Sequence, residues 1–566
     1  RPPQLGAIVT VASTDDRYTD DVHYMGGCLL GDNLSWASTM FAYNSCPPDP
    51  ELVPEWRDRW LERLEGSGLW LDEWLRHQRR DEYYRHGSVC ESYDDVQVPV
   101  LAVSGWADGY TNSVFRLIEN LSAPCWGLIG PWGHTYPHIG SPGPAVGFLQ
   151  EALRFWDRWL RLEPNGYDSV ARLRAYVQEY ADPAPSYGTR PGYWVAVDSW
   201  PVSERRTLDF TLRTGRLVPV VRPEAAPQGS PRGKTAIDAE GAPGASDANG
   251  TGASRGDSAV EFVRSPLTLG QFAGKWCSYT STPDLPGDQR EEDGGALVYE
   301  SEPLEAPVEV LGRPGMVLAF EASAPGGTVA VRLGDVAPTG ETYRVTYGVR
   351  NLTHYVDHAE PRELVPARRY SIEVPLNGVG HRFPAGNRIQ IAVSTSYWPL
   401  IWTPQYWEPL GIVPGECRLR LPLLPDGASD RILAFEPPES APPLERVQRT
   451  ATQSNWTLRR DLAAHRSVVE IVKDDGRYLI PEIDLEISNA ARERYEIQPG
   501  RVHSATGFTD RRRGFARGAW SVRTETRTTM TCDAERFIVD AELDAYEGER
   551  RVFSRNYRGE IPRDHV

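Results

Sequence analysis

Two short stretches each place a functional side chain a few residues beyond an apolar run. Asp108 ends Val103-Ser104-Gly105-Trp106-Ala107-Asp108, and His134 ends Leu128-Ile129-Gly130-Pro131-Trp132-Gly133-His134. A buried carboxylate beside an imidazole fixes its tautomer and stabilises the imidazolium, which is what a serine-activating base requires. Taken singly, each has an ordinary explanation, because Asp-Gly is a turn pair and a histidine after a strand is commonly a hydrogen-bonded loop residue. Their occurrence after consecutive apolar runs, with one helix between, makes Asp108 and His134 the candidate catalytic acid and base. Trp106, Trp132 and Tyr136 flank the pair and are candidates for lining an acyl pocket, with plain packing an equal reading. Asp15, Asp16, Asp20 and Asp21, with His23, follow another apolar run. A solvated loop is the ordinary reading of that cluster, and a substrate-ammonium anchor built on Asp15 and Asp16 is the functional one.

The pair needs strand ends to hold it. Ala7–Ala12 reads as a fully buried strand, Val98–Val103 as a second and Cys125–Ile129 as a third. Helices are expected near Asn112–Leu121 and over Phe148–Leu160, where Leu149, Leu153, Trp156 and Leu160 share one face. Strand and helix alternating at this spacing predict a parallel α/β sheet with right-handed crossovers. Ligands of such sheets collect outside the carboxyl ends of the strands, where Asp108 and His134 fall. Glu51–His86 repeats apolar residues at helical spacing among many charges, predicting two or more amphipathic helices. After about Asp182 the chain turns to Pro, Gly and aromatics. Strands are then expected at Thr207–Leu212, Leu297–Tyr299, Val308–Leu311, Val317–Phe320, Val329–Leu333, Tyr370–Val374 and Arg388–Ser394, which together predict a β-sandwich. The tract Pro223–Ser258, rich in Gly, Ala, Ser and Pro, reads as a disordered linker. Beyond a Pro-rich joint, Val468–Val472, Asp474-Asp475-Gly476 and Tyr478–Ile480 suggest a hairpin, and Trp520–Thr531 alternates polar with apolar.

A chain of 566 residues, 40% hydrophobic and 25% charged, is long enough for several globular cores. A net charge of -17 disfavours nucleic acid and anionic membranes, which need clustered Lys and Arg. Seven cysteines without a CxxC pair fit reduced structural thiols better than a disulfide or zinc framework. No apolar run approaches the roughly 20 residues of a spanning helix. The expectation is a soluble, cytoplasmic protein that needs no metal or cofactor and acts on a small ester, amide or peptide, with homo-oligomerisation left open. The sequence opens without Met and enters a strand-like run at once, so an upstream part is expected to be missing and export stays open.

The pieces Ser104-Gly105-Trp106-Ala107-Asp108, Gly130-Pro131-Trp132-Gly133-His134, Asp288-Gln289-Arg290, Tyr299-Glu300-Ser301-Glu302-Pro303-Leu304 and Gly380-His381-Arg382-Phe383 occur in order. In them the chain resembles the cocaine esterase and X-prolyl dipeptidyl-peptidase family over roughly residues 5–425. The resemblance implies an α/β-hydrolase core at 1–33 and 96–200, with a helical cap at 34–95. It further implies a jelly-roll at 201–425, and 445–566 is a β-rich accessory module outside it. It assigns Asp108 as acid and His134 as base. Triads of this fold run nucleophile, acid, base, and no Gly-x-Ser-x-Gly occurs in the chain, so the serine is expected upstream of Arg1. The resemblance places the family's tyrosine oxyanion donor there too. The expected function is serine-hydrolase cleavage of an acyl ester or amide, X-Pro dipeptidyl bonds included, with the 566 residues alone inactive. The alternative is a non-catalytic carbohydrate- or partner-binding protein that keeps a degenerate hydrolase remnant.

Overall fold

The computed structural model describes residues 2–203, 206–220, 259–279, 283–430 and 433–566. The linker-like tract 223–258 lies outside the described residues. Strand β1 (Ile8–Val11) leads through a helical excursion to β2 (Val100–Gly105). The excursion carries α1 (Asp32–Asn44), α2 (Trp56–Gly66), α3 (Trp70–Arg76) and a last turn at Glu82–Arg85. Helix α4 (Thr111–Asn120) joins β2 to β3 (Cys125–Gly130), and α5 (Phe148–Trp159) joins β3 to β4 (Leu173–Glu179). β1 to β4 lie side by side and parallel, in the register Ile8↔Val100 and Gly105↔Gly130. Every residue of β2 and β3 is buried, as a strand covered by helices on both faces requires.

Three features depart from the sequence reading. β1 is half-buried throughout rather than fully buried, because among the described residues only β2 pairs with it. On α5 the leucine face looks outward: Leu149, Leu153 and Leu160 are 43%, 58% and 55% exposed, while Phe148, Glu151 and Phe155 face the sheet. A polar residue serves on that buried face because Arg174 of β4 donates to Glu151 Oε2 at 2.7 Å. Third, the sheet does not stop near residue 200. Beyond β5 (Gly192–Val197), antiparallel to β4, the strands β6 (Val308–Gly312) and β7 (Val379–Phe383) return from the later region. β7 runs parallel to β4 through His381↔Gln178, and β6 closes the seven-stranded sheet against β7. The two regions therefore share a sheet.

The remaining strands of 207–422 form an eleven-stranded sheet around a core that includes Tyr299, Phe320, Leu333 and Ile391. The strands expected from sequence fall where described, and Thr342–Asn351, not anticipated, pairs with Thr328–Val336. The last region is an antiparallel meander of β8 (Gln453–Asp461), β9 (Arg466–Ile480), β10 (Leu485–Ile497), β11 (Thr506–Arg517), β12 (Trp520–Cys532), β13 (Arg536–Glu547) and β14 (Arg550–Pro562). The expected hairpin over 468–480 is instead a bulge within β9. Gly476 takes φ +66°, its N–H donates to Asp474 Oδ1 at 2.8 Å, and the strand continues. The meander packs Val522, Leu543 and Ala545 against Phe41, Trp60 and Leu64 of α1 and α2. No helix among the described residues is long and apolar enough to cross a membrane.

A buried polar knot joins the regions. Glu493 of β10 accepts from Ser35 Oγ of α1 at 2.7 Å, from Arg511 Nη2 at 3.1 Å and from Lys275 Nζ at 3.4 Å. Against the cost of burial, Lys275 and Arg511 hold its carboxyl down at about 2. Removing one partner of such a cluster leaves charge uncompensated in the interior, so Glu493→Ala is expected to cost about 3–5 kcal/mol, read from denaturant unfolding. An unchanged midpoint would show that the knot carries no stability.

His354, fully buried, stacks on Tyr18, and its Nδ1 lies 3.0 Å from Nδ1 of His358. Burial, with His358 and Arg350 adding to it, pushes the His354 imidazole down to about 3. The folded value lies below the ordinary 6.5, so the unfolded chain binds the extra proton first. Stability from this residue is complete above about pH 6.5 and is lost as pH falls toward 3. Between pH 7 and 5 the parent should lose about 2 kcal/mol more than His354→Gln. Parallel losses in both proteins would remove His354 from that account.

Candidate active site

β2 and β3 end level with each other, and their loops continue in contact. Trp106 N donates to Gly130 O at 2.9 Å and Ala107 N to Trp132 O at 3.0 Å. This approach needs glycine at 105, where a Cβ would stand 2.0 Å from the Trp132 carbonyl oxygen. The loops bring the sequence-derived pair together: His134 Nδ1 is 3.1 Å from Asp108 Oδ1. The Asp108 side chain has no exposed surface, whereas that of His134 is 28% exposed. An ionised carboxylate only accepts, so this contact sets the proton on Nδ1 and leaves Nε2 with a free lone pair.

Asp108 is held from several sides. Ser104 Oγ donates to its Oδ2 at 2.9 Å, while Tyr110 N at 3.3 Å and the Cys277 thiol at 3.6 Å point to Oδ1. His134 is framed by the rings of Tyr279 and Tyr110, with centroids 5.0 and 5.6 Å away, and its main-chain N–H donates to Ser278 O at 2.6 Å. The stretch Cys277-Ser278-Tyr279 was not singled out in the sequence. It lies about 140 residues from His134 and bears no motif, so only its place in the fold reveals it. Asp108, His134 and Cys277 bring one potential ligand atom each within 4.8 Å of one another. A metal would need Cys277 as thiolate, yet burial and the neighbouring Asp108 push this thiol well above its ordinary value. The trio is therefore read as hydrogen-bonded.

Of the other candidates, Trp106 shares a cavity wall with Asp108. Trp106 turns under the sheet, stacked on Phe115 and donating to Tyr176 O. Trp132 is 1% exposed and packs near Trp194, so it supports the loop from within. Tyr136 is exposed, beside His138 and Phe148. The expectation that Asp15 and Asp16 offer a free anchor for an ammonium is corrected. Asp15 takes Arg116 Nε at 2.9 Å and the Tyr93 hydroxyl, and Arg116 also reaches both oxygens of Asp20 at 2.8 Å. Asp16 Oδ1 caps the N–H groups of Tyr18 and Thr19, each at 3.1 Å. These carboxylates are consumed inside the protein.

Comparison with known proteins agrees with this layout. The family model for the X-Pro dipeptidyl-peptidase (S15 family) matches residues 1–136, which include Asp108 and His134. The model for the X-Pro dipeptidyl-peptidase C-terminal non-catalytic domain matches residues 165–421. A cocaine esterase of Rhodococcus sp. is 23% identical over 347 residues, covering 58% of this chain and 54% of that protein. The chain spans about half the length of the curated relatives it matches. Among solved structures, a CocE/NonD family hydrolase from Staphylococcus aureus is 12% identical, with a TM-score of 0.51 over 75% of this chain and 68% of that one. An aminopeptidase from a marine sediment Thaumarchaeota archaeon is 18% identical, with a TM-score of 0.50 over 75% and 73%. These two share the fold. The chain belongs to the cocaine esterase and X-prolyl dipeptidyl-peptidase family of α/β-hydrolases.

Proposed function

We propose that this chain supplies the acid and base of a serine hydrolase that cleaves an acyl ester or amide bond, X-Pro dipeptidyl amides included, through an acyl-enzyme. The observation that carries the reading is the Asp108–His134 contact at the carboxyl ends of adjacent parallel strands, with the histidine partly open to solvent. His134 Nε2 takes the serine proton as the hydroxyl attacks the acyl carbon, then returns it to the leaving group. In the second half it activates water against the acyl-enzyme. Asp108 orients the ring and stabilises the imidazolium. The eleven-stranded sheet is read as a jelly-roll.

The nucleophile is proposed to come from a segment outside these 566 residues. Two features support this. β1 has a free edge among the described residues, α5 turns Leu149 and Leu153 outward, and Leu160 just past its end has Cδ2 3.0 Å from where a Gly6 side chain would begin. An open edge next to an exposed apolar stripe is suited to a further strand and its helix.

An esterase assay on nitrophenyl acetate with fluorophosphonate labelling tests the proposal. The 566-residue chain should show no turnover and no labelled serine, and a version extended upstream through a Gly-x-Ser-x-Gly should show both. In that longer protein His134→Ala and Asp108→Asn should each reduce kcat about 10⁴-fold while folding normally. Labelling of a serine within residues 1–566 would overturn the supply from outside. Near-normal turnover in either folded variant would remove that residue from the mechanism, and an extended protein that lacked turnover would favour the binding-protein alternative.

Because Asp15 is spent on Arg116, Asp15→Asn should leave the rate ratio between unblocked and N-acetylated Ala-Pro amides unchanged, while lowering the unfolding midpoint. A collapse of that ratio in a protein of unaltered stability would restore Asp15 as the ammonium anchor.

A further inference from the structure

Asp108, with residues of the shared sheet and of the eleven-stranded sheet, lines a partly open cavity of about 80 Å³. Asp108 stands in its wall and His134 does not. Two arginines also line it, and neither has a carboxylate within ion-pair distance among the described residues. Arg190 is 1% exposed. Its Nε donates to Gln178 Oε1 at 3.2 Å and its Nη2 to Glu179 O at 3.1 Å, and Nη1 has no partner. Its guanidinium lies between the rings of Tyr187 and Tyr343, 4.4 and 4.6 Å from their centroids. Arg344, also buried, sits 4.4 Å over Tyr347 and donates through Nη1 to Tyr397 OH at 2.7 Å. The hydroxyl of Tyr347 is buried and unpartnered.

The charge of this wall does not close. Lys275, the third cation, is matched by Glu493, and Asp108, the sole carboxylate in the lining, is already engaged by His134, Ser104 and Tyr110. Two guanidinium charges therefore face this space with neutral acceptors (Gln178, the Glu179 carbonyl and the Tyr397 hydroxyl) and aromatic faces in place of a carboxylate. Ring faces and neutral acceptors offset a buried guanidinium less fully than a paired anion does. The space also exceeds what one water needs, about 10–15 Å³. An oxyanion of four or five heavy atoms fits both the volume and the forked donors, which suit planar or tetrahedral oxygens.

We infer that this cavity is a binding site for a small oxyanion, phosphate-like or carboxylate, held by Arg190 and Arg344 with the Tyr347 hydroxyl. The site adjoins the Asp108–His134 pair, sharing Asp108 and Ser278 with its surroundings and leaving His134 outside its lining.

Titration calorimetry and thermal unfolding of the full 566-residue chain in low-chloride buffer test the inference. Inorganic phosphate, sulfate and acetate are the probes, and sodium chloride at matched ionic strength is the control. One saturable site and a midpoint that rises with probe but not with chloride are expected. Affinity should fall at least tenfold in Arg190→Gln and in Arg344→Gln. Tyr347→Phe keeps both charges and should weaken binding severalfold, which preserves the test if an arginine variant does not fold. Saturation by phosphate and sulfate points to inorganic anions as the source. Saturation by acetate with phosphate excluded points to carboxylic acids, the class released by acyl hydrolysis. An absence of saturable heat with every probe would overturn the inference, as would undiminished binding in folded Arg190 and Arg344 variants or a chloride effect equal to that of the probes.

Discussion

The constraint on which the site depends is the parallel register of β2 and β3, in which Gly105 stands opposite Gly130. It sets the two loops level, so that the third residue past β2 and the fourth past β3 meet at 3.1 Å. The sheet's hydrogen bonding runs on beyond the strands into both loops, through Trp106 and Ala107 to the carbonyls of Gly130 and Trp132. A side chain at 105 would have to displace backbone rather than a flexible side-chain end, so it would part the loops and open the dyad. Geometry at the reacting groups is thus inherited from a glycine that takes no part in chemistry.

Around that register the protein holds buried charge in matched groups. Arg116 of α4 gathers Asp15 and Asp20 from the loop after β1, and Asn112, one turn earlier, donates to Asp20 and accepts from Gly378 N at 2.8 Å. One helix face therefore ties the end of β1 to the acid-bearing loop and to the later region. Such clusters add little net stability over an apolar core, but they tolerate only one arrangement, since a shift strands a charge. Arg190 and Arg344 depart from this rule, which is why their cavity stands out.

The sequence was most informative where periodicity and chemistry coincided. The strands before Asp108 and His134 were legible because both faces are covered and the runs carry no charged residue. The meeting of Asp108 and His134 was legible from their offsets beyond those runs. Where one pattern served two geometries, the reading failed. Asp474-Asp475-Gly476 has turn chemistry, and a bulge uses the same left-handed glycine without reversing the chain. The leucine stripe of α5 marked an apolar face correctly but could not say which side the sheet takes, because Glu151 on the other face is neutralised by Arg174 far along the chain. The acidic loop looked free for the same reason, since its partner Arg116 lies about 100 residues away. Tyr279 and Ser278, which frame His134, come from a region that the sequence assigns to another domain altogether.

That last point bears on how the site is built. Asp108 is held mainly by Ser104 of β2 and Tyr110 of its own loop, with the Cys277 thiol of the later region reaching its Oδ1. His134 depends more heavily on that later region, because Ser278 accepts its main-chain N–H and Tyr279 packs on its ring. The segment holding those residues is itself anchored through Lys275 to Glu493 of the terminal meander and, across Glu493, to Ser35 of α1. Asp108 thus takes most of its contacts from the sheet and its own loop, while His134 leans on a segment that the meander and α1 in turn hold. The placement of His134 is in this way tied to the docking of the later regions more closely than that of Asp108.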